Sequence, residues 1–221
     1  MRLAIFDLDN TLLAGDSDHS WGQFLVAKKL VDAKTYAREN DRFYQQYQAA
    51  TLDINEYLRF SLAPLTRYTL EELAVFHDEF MRDYIEPMMQ PKALALLQEH
   101  RTKGDYLLII TATNSFVTHP IAERLRVDDI LASNAEVIDN RYTGKGAGTA
   151  CFQGGKVIRL QEWLKEKNYD LDDAYFYSDS INDLPLLEQV PNPVAVDPDE
   201  RLHKIASERG WKIISLRDSL N

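Results

Sequence analysis

The 221-residue chain is 45% hydrophobic, enough to bury a sizeable core, and it carries a net charge of -10. So acidic a chain argues against nucleic acid and anionic membrane surfaces as partners, but not against a phosphorylated substrate, because a metal or one lysine can reverse the sign locally. The single cysteine, Cys151, excludes an internal disulfide, and with no signal-like segment or membrane-length apolar run the sequence predicts a cytoplasmic protein.

The first apolar run, Leu3–Phe6, reads as a buried strand and runs straight into Asp7-Leu8-Asp9-Asn10-Thr11. From Ala14 to Glu86 no strand-like run occurs. Helices are predicted over His19–Leu30, Ala33–Ala50, Ile54–Ala63 and Thr69–Tyr84, with Pro64 and Pro87 as punctuation. This predicts a helical insertion, residues 15–86, in a core made of residues 1–14 and 87–221. The aromatic stripe Phe43, Tyr44 and Tyr47 reads as packing inside the insertion.

Beyond it the rhythm becomes regular. A helix over Lys92–Lys103 stops at Gly104, and a strand over Tyr106–Ile110 is followed by Thr111-Ala112-Thr113-Asn114. A helix over Phe116–Leu125 precedes a hairpin over Ala132–Tyr142 that turns at Asp139–Asn140. Gly154-Gly155 opens a helix over Lys156–Lys167. The strand Ala174–Tyr177 ends in Ser178-Asp179-Ser180-Ile181-Asn182-Asp183, and a strand, a helix and a strand follow over Val194–Val196, Leu202–Glu208 and Lys212–Ser215. Strand alternating with helix predicts an α/β fold: a Rossmann-like, doubly wound parallel sheet carrying the helical insertion.

Ligands of such sheets sit at the carboxyl ends of the strands. Here those ends gather aspartates, hydroxyls and one lysine, a set that suits hydrolysis of a phosphate monoester. That reaction needs a nucleophile, a proton for the leaving alcohol, and positive charge around the transferring group. Asp7 can attack phosphorus and form an aspartyl phosphate. Mg²⁺ held by Asp7, Asp179 and a backbone carbonyl would screen the two anions. Asp9 can serve as general acid if its pKa is raised. Thr111 and neighbouring backbone N–H groups such as that of Ala112 would hold phosphate oxygens. Lys156 would neutralise remaining charge, with Asp183 orienting it. Singly, these residues also suit capped turns and helix starts; together and in order they suit a phosphoryl site.

The segments FDLDNT, IITAT, GGK and YSDSINDLP resemble the four motifs of the haloacid dehalogenase superfamily. The chain is similar to its phosphoserine-phosphatase-like branch (subfamily IB), whose small helical cap (type C1) lies between the first and second motifs. The resemblance implies Asp7 as nucleophile, Asp9 as acid/base and Thr111 as a phosphate ligand. It implies Lys156 on phosphate and nucleophile, Mg²⁺ on Asp179 and the Asp9 carbonyl, and Asn182 and Asp183 supporting the site, Asn182 on the phosphate side. The insertion is expected to close over the substrate and exclude water, with hinges near Ala14–Gly15 and Glu86–Pro87.

Asp16 resembles the acidic cap residue that binds the amine of phosphoserine. Ser61, however, stands where the branch carries an arginine for the substrate carboxylate, and Arg59 lies two residues off on another helix face. Asp16, Asp18, His19 and Trp21 instead suit a cationic or aromatic alcohol phosphate without a carboxylate. Some similar bacterial phosphatases act on histidinol phosphate, which has that chemistry and is the leading expectation. Phosphoserine phosphatase, phosphomutase and a non-catalytic module binding Mg²⁺ and phosphate stand as alternatives, and the oligomeric state is left open.

Overall fold

The computed structural model describes residues 1–217. Among them, β1 (Leu3–Phe6), β2 (Tyr106–Asn114), β3 (Asp129–Ile138), β4 (Arg141–Ala147), β5 (Tyr175–Ser178), β6 (Asn192–Val196) and β7 (Lys212–Ile214) form one sheet. The strand order is β4-β3-β2-β1-β5-β6-β7. All neighbours pair parallel except β3 and β4. Both faces are buried, as the period of two requires: Ala4, Phe6, Leu107 and Ile109 join one apolar cluster, and Leu3, Ile5, Leu108 and Ile110 the other.

Two predicted elements differ. β2 continues to Asn114, so Thr111–Asn114 are strand residues pointing over the rim of the sheet. The hairpin is not separate: β3 begins at Asp129, pairs parallel with β2 (Leu108 with Asp129), and only then turns back into β4. A sequence window that sees Asp128-Asp129 as a polar break misses a strand whose neighbour fixes it.

The helices are α1 (Ser17–Ala27), α2 (Ala33–Gln48), α3 (Ile54–Leu62), α4 (Leu70–Phe80), α5 (Pro91–Thr102), α6 (Ser115–Leu125), α7 (Gly154–Lys167), α8 (Leu184–Leu187) and α9 (Glu200–Arg209). The first four lie between β1 and β2, and their starts are set by side-chain caps from Asp16, Asp32, Asp53 and Thr69. Apart from an aromatic group of Tyr36, Phe43, Tyr57 and Phe60, the insert packs its buried apolar residues into the core. Leu58, Leu62, Leu73 and Phe80 share one cluster with Phe6, Ile109 and Val194. Trp21 of α1 packs on Phe80 of α4 (5.2 Å between ring centroids) and on Phe116 of α6 (5.1 Å). His77 Nε2 donates to the Val117 carbonyl at 3.0 Å. Helices α1 and α4 are thus bolted to α6, while β4 props α3: a Cβ on Gly146 would come within 3.2 Å of Leu58. No helix among the described residues is long and apolar enough to cross a membrane.

Candidate active site

Asp7 leaves β1 with its N–H donated to the Tyr177 carbonyl (2.9 Å), which ties it to β5. The chain then makes a wide turn over Leu8–Leu12, with Asp9 extended and Asn10 left-handed (φ +56°). Lys156, 1% exposed, donates to Asp7 Oδ1 at 2.8 Å and lies 2.7 Å from Asp183 Oδ1. The Ser178 hydroxyl donates to Asp183 at 2.7 Å. Thr11 Oγ1 donates to Asp179 Oδ1 (3.0 Å) and accepts from its N–H (3.1 Å). Lys156 reaches this cluster because α7 starts tight against the preceding loop. A Cβ on Gly155 would lie 2.1 Å from the Ala150 carbonyl oxygen, whereas one on Gly154 would meet nothing.

Asp9 is buried and fully engaged: it accepts from the Ser17 N–H at 2.6 Å and from Thr113 Oγ1 at 2.7 Å. Burial, with help from Asp16, nevertheless pushes its pKa up to about 7, against those two hydrogen bonds. Asp7 rises to about 7 as well, through burial first, with Lys156 opposing. Burial also opposes the charge on Lys156, but Asp183 and Asp7 more than offset it and hold the ammonium protonated. Asp179 is pushed well up by burial and then by Asp7 and Asp183.

Carboxylates therefore outnumber the one lysine. Asp7 Oδ2 is buried and has no hydrogen-bond partner. An orphaned carboxylate oxygen beside a second strained carboxylate fits a hard divalent cation. Among the described residues no three His, Cys, Asp or Glu side chains are grouped as a metal centre. The remaining ligands would be a backbone carbonyl and waters, the coordination Mg²⁺ favours.

A cavity opens from this cluster into the insert. Asp7, Asp9 and Thr111–Thr113 line one end. Asp16, Asp18, His19 and Asn40 line the other, walled by Phe43, Tyr44, Tyr47 and Tyr57. Asp16 caps α1 by accepting from the His19 N–H (2.7 Å), and burial raises its pKa to about 6. Asp18 accepts from Asn114 Nδ2 (3.2 Å), and burial with Asp16 and Asp9 pushes its pKa well up.

Two residues expected at the site do other work. Trp21 does not line the cavity; it is buried in the aromatic cluster that bolts α1 to α6. Asn182 spends its amide elsewhere: Nδ2 donates to the Tyr47 carbonyl (3.0 Å) and Oδ1 accepts from Gln153 Nε2 (3.1 Å), so it ties α2 to the core. Ser61 is buried, with its hydroxyl on the Leu58 carbonyl (3.5 Å), and Arg59 lines a separate cleft with Lys145.

Conversely, Tyr44, Tyr47 and Phe43, read as internal packing, line the cavity, as do Asn40, Tyr57 and Thr113. Gly22 leaves room for the Asn40 side chain: a Cβ there would come within 2.5 Å of its amide.

Residues 4–188 match the haloacid dehalogenase-like hydrolase family. The chain is 48% identical over 220 residues to a histidinol-phosphatase of Neisseria meningitidis serogroup C (strain 8013), covering 98% of this chain and 99% of that one. It is 30% identical to the phosphoserine phosphatase SerB1 of Mycobacterium tuberculosis, over 97% of this chain and 70% of the relative. A Bordetella pertussis Tohama I protein of unknown function superposes with a TM-score of 0.92 at 43% identity, covering 98% and 99% of the two chains. A substrate-bound phosphoserine phosphatase shares the fold with a TM-score of 0.71 at 17% identity, over 99% and 94%. The chain belongs to the haloacid dehalogenase-like hydrolases and is a phosphatase among them.

Proposed function

We propose that the protein is a Mg²⁺-dependent phosphomonoesterase that hydrolyses histidinol phosphate through a phosphorylated Asp7. The observation that carries the substrate is the composition of the cavity: beside Asp7 and Asp9 it holds the carboxylates of Asp16 and Asp18 and four aromatic rings, and among the described residues no Lys or Arg lines it. Histidinol phosphate offers an ammonium to Asp16 and Asp18, an imidazole to the rings, and no carboxylate. Phosphoserine would leave its carboxylate facing acids, because Arg59 lies elsewhere. The relative named a histidinol-phosphatase supports the same reading.

Asp7 attacks phosphorus while Lys156 holds its Oδ1. Bound Mg²⁺ would supply charge neutralisation between carboxylate and phosphate, held by Asp7, Asp179 and the Asp9 carbonyl. The Thr111 hydroxyl and the N–H of Ala112 would hold phosphate oxygens. As the Asp7–phosphorus bond forms and the ester bond breaks, Asp9 gives its proton to the leaving alkoxide. Asp9 then takes a proton from the water that attacks phosphorus, releasing Asp7 and inorganic phosphate. A pKa near 7 lets Asp9 work in both directions.

Opening of the whole insert about Ala14–Gly15 and Glu86–Pro87 would break the contacts of α1 and α4 with α6 through Trp21 and His77. At the carboxyl end of α2, Asn182 and Arg201 donate to the carbonyls of Tyr47, Gln48 and Ala49, and the Tyr47 ring packs on Phe152.

Phosphate release with Mg²⁺ from histidinol phosphate, phosphoserine, phosphoethanolamine, sugar phosphates and nucleotides tests the reading, with Asp7→Asn as the blank. Histidinol phosphate should lead in kcat/KM by about 100-fold or more. Preference for phosphoserine would overturn the substrate; release by Asp7→Asn at the parent rate would overturn the nucleophile.

A further inference from the structure

The family match ends at residue 188, yet a side chain from far beyond it reaches the turn that follows Asp9. Beyond β7, the Leu216 N–H donates to Asp197 Oδ2 (2.9 Å), and Lys92 Nζ donates to the Arg217 carbonyl (2.7 Å). Those contacts fix the backbone on both sides of the Arg217 side chain. Its guanidinium turns inward: Nη1 donates to the Thr11 carbonyl at 3.3 Å, and Nη2 to the carbonyls of Leu13, at 3.1 Å, and Asn10. Asp197 Oδ2, 3.8 Å from Nη1, balances the charge.

Three carbonyls of one turn thus converge on one guanidinium. The turn has them to spare because Asp9 is extended and Asn10 left-handed, so no regular helix forms to receive their hydrogen bonds. The turn is also the piece of backbone the chemistry leans on. Asp9 precedes it, Thr11 within it holds Asp179, and its far end enters the insert, where the Ala14 N–H donates to the Met88 carbonyl (2.8 Å).

We propose that Arg217 is a positioning residue for the reaction: it sets the carbonyl planes of residues 10–13 and thereby the placement of Asp9 and of the Thr11–Asp179 pair, without touching substrate. The proposal rests on Asp7 and Asp9 as the reacting carboxyls. A planar fork suits this role; an ammonium, as a compact point charge, cannot span the three carbonyls in the same way.

The test is steady-state hydrolysis of para-nitrophenyl phosphate with Mg²⁺ by the parent chain, Arg217→Ala, Arg217→Lys and Asp7→Asn, with Tm recorded for each. Misplacing the acid should lower kcat of Arg217→Ala by about 10- to 100-fold, with KM within about twofold and Tm near the parent's. Millimolar guanidinium should restore part of the lost rate in that variant alone, and Arg217→Lys should fall between. Parent-like kcat in Arg217→Ala beside an inactive Asp7→Asn would overturn the clamp and leave the nucleophile standing. A slow Arg217→Ala with a lowered Tm and no guanidinium rescue would overturn it too, as mere stability. Activity in both Asp7→Asn and Arg217→Ala would overturn the reading of Asp7 and the clamp with it. Should the alanine variant not fold, Arg217→Lys decides: reduced kcat at unchanged Tm supports the clamp, parent kcat overturns it.

Discussion

Asp9 combines two properties that usually conflict. It accepts two good hydrogen bonds, which favour the anion, yet burial and Asp16 push its pKa up to about 7. The proposed acid is therefore both held still and able to carry a proton near neutrality. Asp9→Asn keeps the shape, an acceptor for the Ser17 N–H and a donor toward Thr113, but has no proton to give or take. Turnover should fall by about 10²- to 10⁴-fold, with Tm at pH 8 unchanged or raised because a buried carboxyl has gone. Parent-rate turnover in this variant would remove Asp9 from the mechanism. At this scale the sequence was legible where spacing speaks: two carboxylates past a buried strand, a lysine after two glycines, aspartates past another strand. It was not legible for Asn182 and Trp21. Nothing in a one-dimensional pattern says that an asparagine's amide is already used by Gln153 and the Tyr47 carbonyl, or that a tryptophan beside acids faces Phe116 instead.

Among elements, α7 shows how backbone approach places a functional side chain. The pair Gly154-Gly155 signals closeness, but only the position of the Ala150 carbonyl, set by the loop before the helix, tells which glycine is required. Gly155→Ala must push a Cβ away from backbone that cannot yield cheaply, costing about 1–3 kcal/mol and carrying Lys156 away from Asp7 and Asp183. Its activity should drop by about tenfold or more with a lower Tm, while Gly154→Ala stays close to the parent in both. Equal behaviour of the two variants would show that the start of α7 adapts. The same dependence on neighbours explains β3: helix and strand periods predicted the crossovers, but a strand whose first residues are acidic is defined by its ladder to β2, not by its own pattern.

For the whole molecule, five of the 35 acidic residues are gathered where charge costs most. Asp7, Asp9, Asp16, Asp18 and Asp179 are all raised above the ordinary carboxylate range, chiefly by burial, and Lys156 is the one cation among them. From about pH 4 to about pH 7 the folded chain holds protons that an unfolded chain has released. Through these groups stability falls as pH rises, while His19 and His77, lowered by burial, act in the opposite direction. In EDTA, Tm at pH 8 should lie below Tm at pH 5, by about 2–4 °C for each kcal/mol lost in a chain of this size. Millimolar Mg²⁺ should recover more at pH 8 than at pH 5, because a cation binds the ionised carboxylates and competes with protons for them. Asp16→Asn with Asp18→Asn should flatten the metal-free slope by removing two of the groups that produce it. A metal-free Tm that rises from pH 5 to pH 8 would mean that burial does not hold these carboxyls protonated, and the proton that Asp9 is proposed to supply would have to come from elsewhere.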